Sequence, residues 1–468
     1  MFGKPVFLIT DLLIFSLVFL IIGFFIYASR KPHLRKPWRQ VVRSKAGVIS
    51  MMVLLLYIGI AILDSMHFHP KLDNDSGESQ YSGEIQSVFD RLVYDIRNST
   101  EKTYSAPFAA HLFSKETVQM EDGTKQRIYP RLDWGGKHLT DPVSEKKADI
   151  LSLAFNGAVK AVVVWVALFI LLCVFLTIKV KDSFVTVFKN IFSGKSKVPW
   201  KTALTTLAIL LLVIFIGAEW ASKYHVLGTD KVGEDVLYQA LKSIRTGVVI
   251  GTLTTLLMLP FAITLGIMAG YFRGWIDDVI QYLYTTLNSI PGVLLIAAAV
   301  LMLNVYMGKH AEEFASLTQR ADLRLLFLCL ILGLTSWTGL CRLLRAETLK
   351  LREVDYVQAA SAFGVGSGQT IFRHILPNMM HIVLITLVLD FSGLVLAEAV
   401  LSYINIGVDP TMNSWGNMIN SARLEMAREP VVWWSLAASL FFMFTLVLFA
   451  NLFADVVRDA LDPRIAKH

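Results

Sequence analysis

Cysteine and charge are both scarce in this chain. Its 468 residues include three cysteines, Cys173, Cys329 and Cys341, and all three fall in or beside apolar runs. That placement excludes an extracytoplasmic disulfide framework. Charged residues make up 17% of the sequence against 54% hydrophobic residues, and the mean hydropathy is +0.55. An ordinary soluble core cannot hide so much apolar surface. Catalytic signatures are missing too. No His-Glu-x-x-His occurs, and His67 and His69 have no third ligand at a useful spacing, so no metal site is expected. Gly194-Lys195-Ser196 looks like the end of a phosphate-binding loop, but Lys189 stands where its first glycine is required and no strand feeds it. The glycines 364, 366 and 368 have the wrong spacing for a dinucleotide loop. A cleavable signal is not expected either: the apolar stretch from Pro5 to Tyr27 is too long, and no small-residue cleavage site follows.

What the sequence does have is long apolar runs, several of about 20 residues, the length that crosses a ~30 Å hydrocarbon layer. The net charge of +7 is concentrated between such runs. Its densest cluster is Arg30, Lys31, Arg35, Lys36, Arg39, Arg43 and Lys45, the pattern of a cytoplasmic loop under the positive-inside rule and not of a nucleic-acid surface. The expected crossings are residues 6–27, 46–63, 154–178, 202–220, 246–271 (with Pro260 and an expected tilt or kink), 280–303 (with Pro291 inside), 325–340, 382–404 and 431–453. A second basic segment, with Lys181, Lys189, Lys195, Lys197 and Lys201, follows the third. Nine crossings place the N-terminus outside and the C-terminus in the cytoplasm.

This divides the chain into residues 1–65 (two N-terminal spans and their basic loop), 66–150, 151–201 (third span and second basic loop) and 202–468. Residues 66–150 mix acidic and basic side chains and contain no spanning window. Ile85, Val88, Phe89, Leu92, Val93 and Ile96 fit one amphipathic helix. Residues 117–120 and 126–129 flank Glu121-Asp122-Gly123-Thr124 as a hairpin. The segment is read as a small α+β extracytoplasmic insertion that needs packing elsewhere for stability. Residues 225–241 are polar with spaced apolar positions and are expected at the outer surface. Trp38, Trp200, Trp220, Trp415, Trp433 and Trp434 lie near span ends and read as interfacial anchors.

One polar, glycine-punctuated stretch, residues 353–378, separates two apolar runs and is flanked by Arg342, Arg345, Lys350 and Arg352, with Arg373 inside it. Tyr356, Ala359, Ala360 and Phe363 form a small-and-aromatic helical face, and Gly364 supplies a left-handed stop. Ile371, Phe372 and Ile375 make a second short face, which Pro377 is expected to end. Two short helices of this kind look like a docking element. Asp390 and Glu398 lie in the following span, where buried acids usually face a cavity or partner. Glu398 is near the outer end, where simple hydration is the preferred reading. About 12 Å of helical rise separates the two, too far for a two-acid protease centre.

The stretch resembles the "EAA" loop of bacterial ABC-importer permeases, in the C-subunit version of oligopeptide and dipeptide systems. Other motifs appear in the same order. His225 to Asp230 with Gly233 and Asp235-Val236-Leu237 is similar to that group's outer motif, carried by Gly228, Thr229, Asp230, Gly233 and Asp235. Ala269 to Phe272 with Gly274-Trp275, Ile371 to Asn378, Leu396 to Ala399, Ser414 to Met418 and Arg458 to Arg464 continue it. The likeness covers about residues 200–468. It implies an all-α polytopic membrane protein whose six-helix permease core, 202–468, is preceded by three extra transmembrane helices. It also implies a coupling helix that docks on an ATP-binding subunit, with Tyr356, Gln358, Ala359, Ala360, Phe363, Gly364 and Pro377 matching the loop. The implied partners are two ATP-binding subunits that hold ATP and Mg, a second, B-type permease, and a solute-binding protein; the chain itself is expected to carry no cofactor and no enzymatic activity. Asp390 and Glu398 would border the translocation path or an interface.

Two positions depart from the pattern. Gln358 stands where the family has an acid, and Glu234 where it usually has arginine. An amide at 358 turns a charge-assisted contact into an ordinary hydrogen bond. The expected function is ATP-driven peptide import across the inner membrane. Nickel complexes or antimicrobial or modified peptides are alternative cargoes, and a sensor or envelope scaffold built on a degenerate core is the alternative class.

Overall fold

The structure, a computed structural model, describes residues 3–72, 80–119, 125–181, 183–193, 196, 198–310 and 316–461. The turn expected at 121–124, the Gly-Lys pair at 194–195 and the 462–464 end of the last motif lie outside the described residues. In chain order the elements begin with β1 (Lys4–Val6), α1 (Ile9–Arg30), α2 (Pro32–Arg43) and α3 (Lys45–Asp64). The insertion supplies β2 (His67–His69), β3 (Lys71–Leu72), β4 (Gln80–Tyr81), β5 (Gln86–Ser87), α4 (Val88–Leu92), α5 (Tyr94–Asn98), β6 (Glu116–Gln119) and β7 (Lys125–Ile128). Then follow α6 (Lys146–Val180), α7 (Phe184–Phe192), α8 (Trp200–Ala221), α9 (Val236–Phe272), α10 (Gly274–Ser289), α11 (Gly292–Lys309) and α12 (Leu317–Arg352). The last are α13 (Asp355–Ala362), α14 (Ser367–Thr370), a π-helical turn at Ile371–Ile375, α15 (Leu376–Tyr403), α16 (Trp415–Glu425) and α17 (Trp434–Leu461).

Among the described residues nine helices are long and apolar enough to cross a membrane, as the sequence predicted. Several of the helices extend beyond the expected crossings, and at two of them the difference turns on proline. The sixth span is not one helix through Pro291: the chain breaks at Ile290, whose ψ of 127° is the extended conformation that proline imposes on its predecessor, and α11 alone is the crossing. Pro377, by contrast, does not stop its helix. The N–H of Leu376 reaches back five residues to the carbonyl of Ile371, and this wider turn places Pro377 at the start of α15, where a missing N–H costs little. Residues 367–403 therefore form one continuous span.

The chain forms two compact units. The first comprises Met1–Val6, Trp38–Arg245 and Asn413–Phe449. Its largest helix pair is α6 and α8, clamped by Trp165 Nε1–H donating to the Leu204 carbonyl (2.9 Å) and Trp220 Nε1–H to that of Ile150 (3.0 Å). The basic segment after α6 is not a bare loop. Val187 and Ile191 of α7 bury against Phe169, Cys173 and Leu204. In the insertion β2 pairs antiparallel with β1 and β5, and β6 with β7, so the expected hairpin strands are present. The single amphipathic helix expected over 85–96 is instead two. Ser87 and Asp90 form a reciprocal capping box that starts α4, and Val93 leaves helical geometry at ψ 30°, which turns Leu92 outward (67% exposed).

The second unit comprises Phe7–Pro37, Thr246–Met412 and Ala450–His468. α12 is its centre. Leu325, Leu328 and Leu332 pack with Val249, Ile250, Leu253, Leu394 and Leu401 in one cluster. Trp337, Leu340 and Leu344 pack with Met258, Ile267, Ile375, Met379 and Val383 in another. α1, one of the added spans, docks on α12 through the Thr10 N–H and hydroxyl, both donating to the Asp322 carboxylate.

Candidate functional site

The first half of the 353–378 stretch is built as the sequence suggested, whereas its second short helix is instead the beginning of the 367–403 span. α13 ends in a Schellman motif: the Val365 N–H bonds to the Ala360 carbonyl and the Gly364 N–H to that of Ser361, both at 3.0 Å. Gly364 has φ +77°, a conformation that a side chain disfavours. Val357 anchors the helix (1% exposed), while Tyr356, Gln358, Ala359 and Phe363 face outward. Phe363 is 87% exposed and Phe372 73%. Phe363 lies outside the candidate spans, and leaving such a ring in water forgoes about 1.5–3 kcal/mol of burial that a covering partner would restore.

Polar bonds fix α13 to its surroundings. Glu353 accepts from Arg273 Nη2 at 2.6 Å, and Gln358 Nε2 donates to the Glu353 carbonyl (3.3 Å) and carboxylate (3.4 Å). Asn378 Nδ2 donates to the Tyr356 hydroxyl (2.8 Å), linking α13 to the root of α15. One turn before α13, Arg352 Nη1 donates to the Tyr271 carbonyl (2.7 Å). Arg345 grips Asp277 with two bonds of 2.6 and 2.7 Å, and these hold the Asp277 carboxyl below the usual carboxylate range. Separate motifs of the sequence, 269–275, 345–358 and 371–378, thus meet in one polar network at one end of α12. Pro377 itself is exposed, next to Asn378.

The outer motif is also one site, though not the open surface expected. His225, Thr229 and Asp235 are 2%, 0% and 3% exposed. Gly228 and Gly233 have φ +71° and +80°, and a Cβ on Gly233 would lie 1.7 Å from the Glu101 carbonyl oxygen. The Thr229 hydroxyl donates to the Thr103 carbonyl (2.9 Å) and accepts from the Ser105 N–H (2.6 Å). Asp230 Oδ1 accepts the N–H groups of Val232 (2.9 Å) and Glu234 (3.0 Å), while Glu234 itself is exposed and bonded to Gln239. Asp235 Oδ1 caps α9 through the N–H groups of Leu237 (2.8 Å) and Tyr238 (3.1 Å), and its Oδ2 meets His225 Nδ1 at 2.7 Å.

On the far side of the imidazole, Glu101 lies 3.3 Å from Nε2. Burial alone would push His225 down, but the hydrogen bonds and charges of Asp235 and Glu101 outweigh it and raise the imidazole to about 9. Burial likewise opposes ionisation of Glu101, and it is overcome by His225 and by the N–H groups of Asp133, Trp134 and Gly135, which leave the carboxyl below its ordinary value. The motif therefore buries itself against the 66–150 insertion. Glu101 is the residue that sequence reasoning missed, because 124 residues separate it from His225 and no local spacing marks it.

Two of the six tryptophans are not interfacial anchors. Trp415 and Trp434 are 1% and 2% exposed, and their N–H groups donate to the carbonyls of Ala240 (3.0 Å) and Thr229 (2.9 Å). Glu398 is not hydrated. It is 2% exposed and accepts a 2.7 Å bond from the Ser402 hydroxyl one turn on. Asp390 is half-buried in α15, with no hydrogen bond or ion pair among the described residues.

Comparison with known proteins identifies a family for the C-terminal part of the chain. Residues 262–467 match the family described as "Binding-protein-dependent transport system inner membrane component". The glutathione transport system permease protein GsiD of Pectobacterium atrosepticum is 30% identical over 247 residues, which is 53% of this chain and 75% of that protein. The dipeptide transport system permease protein DppC of Alkalihalophilus pseudofirmus is 30% identical over 52% of this chain and 73% of its own length. The oligopeptide transport system permease protein OppC of Mycobacterium tuberculosis is 30% identical over 51% and 76%. All of these are transport system permease proteins. The chain belongs to the family of binding-protein-dependent transport system inner-membrane components, as a multi-pass permease subunit of an ABC importer.

Proposed function

We propose that this permease imports peptides and that α13 is the helix through which ATPase subunits drive it. The observation that carries the reading is the unpartnered outward face of α13, in which Phe363 is 87% exposed while Val357, Glu353 and Tyr356 tie the helix to the chain. Push or pull on that face passes by two routes, through Glu353 and the last turn of α12 and through Tyr356–Asn378 into α15. In this mechanism ATP and Mg reside on two partner subunits, and their closure moves α12 and α15 to open the path outward. A second, similar permease completes the pore. Asp390, half-buried in a span with no hydrogen bond or ion pair among the described residues, faces the path or that subunit, and Glu398 belongs to the packing beside it. A solute-binding protein delivers cargo at residues 225–241 and 407–430, where Val232 and Leu424 are exposed (58% and 67%). The N-terminus lies outside and the C-terminus in the cytoplasm, as the basic segments require. Peptide cargo is supported by the dipeptide, oligopeptide and glutathione permeases that the chain is similar to.

The test replaces Ala360 and Gly364 with bulky residues and follows co-purification of the ATPase subunits together with peptide uptake. The variant should remain in the membrane and lose both. Unchanged ATPase association and uptake would sink the proposal.

A further inference from the structure

The basic segment between the first two spans is not a loop but a helix, α2, and its charge is organised. At about 100° per residue, Arg35, Arg39, Arg43 and Lys36 fall within an arc of about 100°. All four are exposed. Trp38 and Val41 occupy the opposite side, where Val41 is 2% exposed and Trp38 half-buried. Lys31 and Lys45 extend the charge at either end, and both are exposed. None of these cations forms an ion pair among the described residues. The neighbouring sequence offers no neutralising group: no Asp or Glu occurs between Asp11 and Asp64. Both ends of α2 are tethered within two residues of a span, since α1 ends at Arg30 and α3 starts at Lys45. Two candidate spanning helices thus flank α2 directly.

We propose that α2 is a binding surface for anionic phospholipids, whose phosphates pair with the Arg35–Arg39–Arg43 stripe and Lys36. Arginine suits this role because its planar fork takes two phosphate oxygens at once, while Trp38 and Val41 keep the opposite face anchored. Each cation near a charged bilayer surface contributes about fivefold to association with acidic lipid, and the effect falls with salt. The partner is lipid and not nucleic acid because candidate spanning helices flank the stripe on both sides.

The test is native mass spectrometry of the full-length chain, released from nanodiscs containing equal phosphatidylglycerol and phosphatidylcholine. The wild type should retain phosphatidylglycerol in preference, by about tenfold or more at low salt. The variant R35Q/K36Q/R39Q/R43Q should lose most of that preference. R35K/R39K/R43K, which keeps charge without the fork, should fall between the two. Neutralisation could disturb insertion, so the wild type is also measured as salt rises from about 0.05 to about 0.5 M, which should erode the preference with no substitution. Equal retention by the glutamine variant, a preference indifferent to salt, or displacement of the lipid by a short DNA duplex would each overturn the assignment.

Discussion

Changing Glu101 to Gln asks whether one buried carboxylate holds the 66–150 insertion onto the 225–235 motif. The Glu101 side chain is 1% exposed. It accepts the N–H groups of Asp133 and Trp134 at 2.9 Å and of Gly135 at 3.1 Å, and it faces His225 at 3.3 Å. Glutamine is nearly isosteric but has one acceptor oxygen. Its NH2 must replace either Oε2, opposite the Asp133 N–H, or Oε1, opposite those of Trp134 and Gly135. At least one buried donor then meets another donor, at about 1–3 kcal/mol. The charged bond to His225 is weakened as well, at about 1.5–3 kcal/mol. Together these come to about 3–5 kcal/mol, the range for removing one member of a buried ionic pair. Converted at 1.36 kcal/mol per decade, local opening should become roughly two to nearly four decades more frequent. Hydrogen exchange in nanodiscs reads this directly. The amides of residues 133–135 should exchange at least about a hundredfold faster, while those of α13 keep their wild-type rates. Rates at 133–135 within about threefold of wild type would refute the reasoning, because no buried charge could then be bridging the two segments.

The same site predicts a pH dependence. His225 is raised in the folded chain, so its contribution is complete below about 6.5, the ordinary histidine value, and is lost as pH rises through about 9. Exchange at 133–135, corrected for base catalysis, should accelerate across that window and be flat below it. Gly233→Ala places a Cβ on the Glu101 backbone at a φ of +80°, and it should cost well over about 2 kcal/mol, seen as protease sensitivity of the insertion with the spans intact. Arg345→Lys removes the two-pronged grip on Asp277 and should lower thermal stability in detergent by about 1 kcal/mol, with no loss of membrane yield. Gln358→Glu puts a like charge beside Glu353 and should loosen the first turn of α13 by about 0.5 kcal/mol, and adding Glu353→Gln should restore it, both read by amide exchange.

The spans were legible because hydropathy over about 20 residues is a local quantity, and the basic segments between them fix an order without any tertiary contact. The same locality concealed α2 and α7. Their lysines and arginines read as loop, although Trp38 with Val41 and Val187 with Ile191 carry the helical spacing that buries one face. Proline was ambiguous for a comparable reason. The helix breaks before Pro291 but runs on through Pro377, and the difference lies in the π turn before Pro377, which is a feature of backbone packing and not of the dipeptide. Gly228 and Gly233 stand in the sequence only as members of the 225–235 motif, because what they make room for, the backbones of Ser105 and Glu101, comes from more than a hundred residues away.

Gln358 shows how a departure from a family pattern changes meaning once neighbours are known. Against that pattern its amide reads as a weakened contact with a partner. In the structure its donor is already spent on Glu353, which is in turn the acceptor for Arg273. A carboxylate at 358 would compete for Arg273 and repel Glu353, so the neutral side chain is what allows the Arg273–Glu353 pair to brace the last turn of α12. The outward side of α13 then presents the rings of Tyr356 and Phe363 with Ala359 beside the amide of Gln358, and Phe372 is exposed beyond it. If that face receives an ATPase subunit as proposed, the contact draws its strength from buried ring area, which salt does not screen, and not from a charge at 358. Coupling through α13 should on this reasoning survive high salt and Gln358→Ala, and fail with Phe363→Ser, the reverse of what the family's acidic position alone would suggest.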